Sequence, residues 1–314
     1  LTHSTFDDLA FLEAASGAKL SYRHLTAQSA PKAVLLINHG LVEHSGRYKR
    51  FAEFMAENGY HIYAHDHRGH GHTTSHDGFV GRFARHDGGE KVISDVKAMR
   101  DFAASQHPSL PIIVFGHSMG ALIAMNYAVS YPADYQALAI YNFNFNQGVI
   151  GRVAQAALRI SQFFKGSDVP SVLMIKASFE HWNKTHGDGR TRADWLSHDQ
   201  GVVDAYLRDP LCQFEPSTSL WQDVFKLSYR APKLFSRLRD DLPVLLVGGT
   251  QDPATHEGKA MTWLKETLRS NGSSNSTLIV YDGFRHETLN EVNYMRAQND
   301  FLAWADGAIC GKTA

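Results

Sequence analysis

The sequence predicts an α/β fold: a mostly parallel, eight-stranded sheet with helices on both faces and an inserted helical cap. Three observations predict it. Apolar runs of buried-strand length alternate with stretches of 3.6-residue periodicity, the rhythm of parallel strands joined by helical crossovers. Two short alternating segments ahead of them flank Ser16-Gly17, as the arms of an antiparallel hairpin do. The rhythm then breaks over 146–235, where helical patterning continues without a convincing buried strand.

Each element has its own signal. Segments 9–14 and 19–25 alternate apolar and polar residues about the turn, so they should pair as a hairpin at the sheet edge. Apolar runs at 34–38, 61–65, 112–115, 138–141, 244–247 and 277–281 are short and continuous, as six parallel strands covered on both faces require. Helical periodicity fills 48–58, 89–106, 119–130, 257–270 and 291–304, and right-handed crossovers would set these helices on both sheet faces. The core is therefore expected over 1–145 and 236–314, with 146–235 as a cap or lid. Within the cap, Val153, Ala157, Ile160 and Phe164 form an apolar stripe opposite Arg152, Gln155, Arg159 and Gln162. The pattern alone favours a helix packed on the body; a lipid-facing lid is the second reading.

With 314 residues, 43% of them apolar and 20% charged, the chain can bury a large core, which excludes a disordered or low-complexity protein. Lys and Arg (31) balance Asp and Glu (32), so no net field favours a nucleic-acid partner. Cys212 and Cys310 stand far apart, which excludes a disulfide framework and a CxxC redox centre. Residues 1–12 lack the basic start and apolar run of a secretory leader, and no apolar run is long enough to span a bilayer, so a cytoplasmic protein is the expectation. Eighteen histidines are the one unusual count. Five crowd one loop: His65, His67, His70, His72 and His76. Asp66, Arg68, Gly69 and Gly71 already read as a structural turn after a strand, however, and alternate histidines fall on opposite sides of it. No metal is expected there, and no cofactor elsewhere.

Chemistry concentrates at strand ends. The strand 112–115 runs into Gly116-His117-Ser118-Met119-Gly120 and then a helix, which is Gly-x-Ser-x-Gly in its strand-turn-helix setting. A sharp turn there lifts the Ser118 hydroxyl above the C-terminal sheet edge, and the glycines let neighbouring backbone pass. A serine hydroxyl is a weak nucleophile at neutral pH; it needs a histidine to take its proton and a carboxylate to hold that imidazole. Asp252 follows strand 244–247 and His286 follows strand 277–281, giving the order Ser, Asp, His. Asp240 and Asp241 precede their strand, at the wrong end of the sheet, and Asp282 lies too close in sequence to the histidine. His117 reads as a pocket wall rather than a base. After strand 34–38, Asn38-His39-Gly40-Leu41 aims the Leu41 amide at a developing oxyanion, and the Met119 amide supplies the second donor.

These residues resemble the α/β-hydrolases, and within them the monoacylglycerol lipase and lysophospholipase group, also described as serine-aminopeptidase-like. His39-Gly40, followed by Glu43-His44-Ser45-Gly46-Arg47-Tyr48, is similar to that group's His-Gly-x-x-Glu-His-Ser-Gly-Arg-Tyr block. Asp66-His67-Arg68-Gly69-His70-Gly71 is similar to its Asp-x-Arg-Gly-x-Gly loop, and Gly-His-Ser-Met-Gly to its nucleophile elbow. Trp195-Leu196-Ser197 and 203–211 resemble its cap signature, and 286–291 its ending.

The resemblance implies Leu41 and Met119 as the oxyanion hole, with Glu43, Arg47 and Tyr206 near the leaving alcohol. It implies a serine ester hydrolase acting through an acyl-enzyme on single-acyl-chain esters, monoacylglycerol or lysophospholipid. A carboxylesterase of small or aromatic esters, a peptide or amide hydrolase, and a noncatalytic binding module on the same fold are the alternatives. Expected partners are a small ester substrate and, through the cap, a transient membrane or micelle surface; oligomeric state stays open. Phe163, Phe164, Leu173, Met174, Trp182 and Trp195 are expected to roof an acyl tunnel. Residues 141–146 depart from the group by bulky aromatics where its members carry small residues and serines, which either reshapes the acyl pocket or roots the cap.

Overall fold

The computed structural model describes residues 5–310; residues 1–4, part of the stretch read for a leader, lie outside them. Ala10–Glu13 (β1) and Ala18–Leu25 (β2) pair antiparallel, with Glu13 opposite Lys19 across the turn. Six parallel strands carry the sheet: Ala33–Asn38 (β3), Tyr60–His65 (β4) and, after the two-residue Thr74–Ser75 (β5), Ile112–His117 (β6), Ala137–Tyr141 (β7), Val244–Gly249 (β8) and Ser276–Tyr281 (β9). Their order is β1-β2-β4-β3-β6-β7-β8-β9, and β5 pairs with β2. The eight expected strands are present; β5 is too short to leave a periodic signal.

Helices Lys49–Glu57 (α1), Gly88–Gln106 (α2) and Met119–Ser130 (α3) fill the first crossovers. Between β7 and β8 lie Gly148–Lys165 (α4), Val172–Ile175 (α5), His181–His186 (α6), Gln200–Arg208 (α7) and Thr218–Arg230 (α8); Lys259–Ser270 (α9) and Tyr294–Ile309 (α10) follow. Alternation along each strand feeds two cores. Val34 and Leu36 of β3 join Val114, Leu138 and Leu246 against α2, α3 and α9, whereas Leu35 and Ile37 join Phe115, Tyr141 and Val247 against α1 and α10. α3 is apolar all round and buried from Met119 to Val129, as its central position requires. Each of its fully buried Leu122, Ile123 and Met125 contributes about 1.5–3 kcal/mol relative to exposure.

One expectation is overturned in the cap. α4 packs through Gly151, Ala154 and Leu158, not through the stripe read from the sequence: Val153, Ile160 and Phe164 are exposed. The reason is steric. A Cβ on Gly151 would lie 2.6 Å from the Tyr229 hydroxyl, so α4 approaches α8 closely along its small-residue row, which leaves Val153 and Ala157 lining a cavity and Ile160 and Phe164 facing outward. α8 itself enters the body core, with Leu220 and Leu227 buried beside α2 and α3. Among the described residues, no helix is long and apolar enough to cross a membrane.

Candidate active site

Ser118 sits between β6 and α3 at φ +53°, ψ −121°, a conformation that costs a non-glycine residue roughly 1–3 kcal/mol. Ser118 N donates to Tyr141 O at 2.8 Å, which locks the turn onto β7. Both flanking glycines are compulsory here. A Cβ on Gly116 would lie 2.3 Å from Gly120 O, and one on Gly120 would lie 2.1 Å from Asn38 O. The hydroxyl takes no hydrogen-bond partner among the described residues, and Ser118 lines a cavity of about 750 Å3 together with His286.

Asp252, fully buried after β8, is satisfied on both oxygens. Oδ1 lies 2.9 Å from His286 Nδ1 and accepts from Ala254 N at 3.0 Å; Oδ2 accepts from Asn142 Nδ2 at 3.0 Å and from Thr255 Oγ1 at 2.9 Å. Burial by itself pushes this carboxyl up, but His286 and the other donors hold it below the ordinary carboxylate value. An ionised Asp252 can only accept, so His286 Nδ1 carries a proton, and in the neutral ring Nε2 is then the acceptor. The imidazole is wedged between the rings of His117 and Trp195, each 4.8 Å away between centroids. Asp240, Asp241 and Asp282 are exposed, and Asp282 accepts from Thr250 Oγ1 at 3.1 Å instead.

Gly40, Leu41 and Met119 line the cavity beside Ser118. Neither the Leu41 nor the Met119 amide donates to another described residue, and the N–H at the first position of α3 has no helical acceptor. A Cβ on Gly40 would press on Glu43 Oε1 at 2.7 Å and on Ser118 Cβ at 3.3 Å, so this loop reaches the serine only as glycine. His39 braces it from behind: Nδ1 lies 2.8 Å from Gly40 O, and Nε2 accepts from His67 N at 2.9 Å.

Glu43, Arg47, His117 and Tyr206 also line the cavity, but the charges of Glu43 and Arg47 are already engaged. Arg47 Nη1 donates to Glu43 Oε2 at 2.8 Å and to Glu287 Oε1 at 2.5 Å, Nη2 donates to Glu287 Oε2 at 2.8 Å, and the guanidinium lies 4.9 Å from the Tyr206 ring centre. Glu43 Oε1 accepts from Gly40 N at 2.5 Å and from Tyr48 Oη at 2.9 Å. Despite burial, His117 and Arg47 hold Glu43 well below the usual carboxylate range; burial lowers His117, yet Glu43 raises it on balance. Arg47 therefore ties the loop after β3 to the residue that follows His286. Arg47→Met should strip two buried carboxylates of their shared guanidinium and cost about 3–5 kcal/mol, read as a lower Tm. Adding Glu43→Gln and Glu287→Gln should recover most of the loss. In the wild type, Glu43 binds its proton more weakly folded than unfolded, so its stabilisation should begin to fall as pH drops below about 4 and be lost only once pH passes below its depressed folded value.

The cap supplies Leu173, Met174, Trp182 and Trp195 to the cavity wall, but Phe163 and Phe164 point away and are 84% and 77% exposed. The roof expected from all six is corrected to those four. Within 141–146 the roles divide: Phe143 lines the cavity, while Phe145 is buried between Phe143 and Phe235. The five-histidine loop does not converge. His65, His67 and His70 are buried near His39 and held neutral, mainly by burial, whereas His72 and His76 are exposed.

A family model described as serine aminopeptidase, S33, matches residues 29–293. The chain belongs to this family. Among curated proteins, a monoacylglycerol lipase of Mycolicibacterium smegmatis is 27% identical over 92% of this chain and 93% of its own length. Monoglyceride lipase of Mus musculus is 28% identical over 90% of this chain and 84% of its own length. Among solved structures, a thermostable carboxyl esterase from Bacillus coagulans, in complex with glycerol, superposes with a TM-score of 0.84 at 22% identity, covering 96% of this chain and 98% of that one. A soluble variant of monoglyceride lipase from Saccharomyces cerevisiae gives 0.73 at 18%, covering 98% and 97%. These likenesses establish the α/β-hydrolase fold.

Three residues of this family member escaped the sequence reading. Asn142, at φ +55° beyond β7, and Thr255 complete the shell of Asp252; Glu287 completes that of Arg47. Asn tolerates the left-handed conformation, so Asn142 at a strand end was the one detectable signal.

Proposed function

We propose that the chain is a serine ester hydrolase acting through an acyl-enzyme on single-acyl-chain esters, monoacylglycerol first. The observation that carries this is that Ser118 and His286, the latter braced by Asp252, line one cavity walled by apolar cap and body side chains. In this reading Ser118 Oγ attacks the ester carbonyl while His286 Nε2 takes its proton, and Asp252 holds the imidazolium. The Leu41 and Met119 amides receive the charge on the carbonyl oxygen. His286 then protonates the leaving alcohol, and water repeats the sequence on the acyl-enzyme. Segment 146–235 serves as the lid over this chemistry, and lipase-named relatives of nearly full length support the substrate class.

Each methylene buried in such a cavity contributes at most about 0.8 kcal/mol. The kcat/KM of monoacylglycerols should therefore climb from acetyl to medium and long acyl chains, and esters should far outrun an aminoacyl anilide. A flat series, or preference for the anilide, would overturn the assignment. Peptide cleavage from an N-terminus is disfavoured because the two carboxylates lining the cavity, Glu43 and Glu287, share Arg47 and leave no acid for an α-amine.

In this reading Tyr206, which lines the cavity and whose hydroxyl has no partner among the described residues, reads the alcohol. Tyr206→Phe should cost about 1 kcal/mol, near fivefold in kcat/KM, on monoacylglycerol. It should spare a p-nitrophenyl ester of the same acid; equal losses on both would mean that Tyr206 only seats the cap.

The partner on the cap side is a micelle or bilayer surface. α4 exposes Ile150, Val153, Ile160, Phe163 and Phe164, and it carries Arg152, Arg159 and Lys165 with no acid. Phe163→Ser combined with Phe164→Ser should raise KM severalfold on emulsified substrate and leave a soluble short ester unchanged. Cytoplasmic placement is the accompanying reading, supported by two free cysteines, one buried and one exposed.

A further inference from the structure

The unusual histidine count finds a focus away from the reaction. His24 of β2, His61 at the start of β4 and His107 just beyond α2 come from distant parts of the chain, and one ligand nitrogen of each lies within 4.8 Å of the other two. We propose that these three imidazoles form a binding site for a borderline first-row divalent cation, of which Zn2+ is the type, with water completing the coordination.

The chemistry fits. Imidazole suits zinc, copper and nickel far better than magnesium or calcium, and three histidines leave the open position of a water-bearing zinc site. Tetrahedral Zn–N bonds of about 2.0–2.1 Å place ligand nitrogens roughly 3.3 Å apart, so no ring has to move inward by more than about 1 Å. The rings sit on rigid elements that restrict that movement to side chains: β2 and β4 are paired, with His24 opposite Tyr63, and His61 and His107 stack at 3.8 Å between centroids. Tyr63 Oη lies 3.0 Å from His107 Nε2 and fixes that edge of the ring, the outer bond that metal-bound imidazoles commonly make, leaving the other nitrogen for the ion. Ala27 N donates to His61 Nδ1 at 3.3 Å, a long bond that coordination or a ring rotation replaces. Burial first, and mutual repulsion second, hold His24 and His61 down to about 4, so neither ring has to shed a proton to bind at neutral pH.

The position separates the site from catalysis. His61 begins β4, whereas the chemistry gathers at the opposite, C-terminal ends of β3, β6 and β8. An ion there would pin β2 and β4 to the end of α2, stabilising the hairpin side of the sheet.

Untagged full-length protein, stripped with chelator, is titrated calorimetrically with ZnCl2 and separately with MgCl2. We expect one Zn2+ equivalent at micromolar affinity, no Mg2+ binding, and a rise in Tm of several degrees on saturation. Co2+ in its place should show the visible absorption of a four-coordinate nitrogen site. His24→Gln and His107→Gln, at partly exposed positions, should each weaken that event at least tenfold and abolish the Tm rise, with the metal-free Tm and ester turnover near wild type. Zn2+ affinity unchanged in both variants, or no binding by the wild type at 100 µM Zn2+, about a hundredfold above a Kd of 1 µM, would overturn the site. A variant with a lowered metal-free Tm is judged on its Co2+ spectrum: an unchanged spectrum overturns the site, and a lost one supports it.

Discussion

Ser118→Ala should keep its fold and lose about 10⁴- to 10⁶-fold in kcat on p-nitrophenyl butyrate. Removing the attacking atom abolishes the acyl-enzyme route and leaves only whatever the oxyanion donors and binding supply. Alanine fits the same turn, because the strain at φ +53° is imposed by Gly116, Gly120 and the bond to Tyr141 O rather than by the hydroxyl. A Tm close to wild type with turnover this low is the expected pair of readings; turnover within tenfold of wild type would remove Ser118 from the mechanism.

Asp252→Asn is the second large effect, about 10⁴-fold in kcat with substrate binding retained. The amide presents an N–H as readily as an oxygen. It already faces donors from Asn142, Thr255 and Ala254, so at least one donor must oppose another or His286 must give up its Nδ1 proton. With the amide N–H turned to His286, the wrong tautomer faces Ser118. A loss below tenfold would move the role to another acid, although Asp240, Asp241 and Asp282 all lie exposed on the surface.

The legible parts of this molecule are those whose signal is local. Continuous apolar strands, the elbow glycines and the Ser, Asp, His order each sit within a few residues of a strand end, so pattern and position carry them. What was hidden depends on distant partners. Arg47 reads as a free polar residue until Glu287, 240 residues away, occupies two of its nitrogens. α4 has two apolar faces, and periodicity does not tell which one meets Tyr229; the small row did, and Phe163 and Phe164 were left outside. The histidines show the same limit. Five neighbours in one loop drew the eye without converging, whereas His24, His61 and His107 meet only after β2, β4 and α2 are assembled.

The central claim is that Ser118 is acylated by the substrate ester and that Asp252 and His286 make it reactive. The most direct measurement is peptide mass spectrometry after reaction of the intact protein with an alkyl fluorophosphonate. The prediction is one equivalent of phosphonyl adduct on the peptide containing Ser118, formed in step with loss of esterase activity, slowed by orders of magnitude in Asp252→Asn and absent in Ser118→Ala. Inactivation with the adduct on another residue, or full activity in protein stoichiometrically labelled at Ser118, would contradict it.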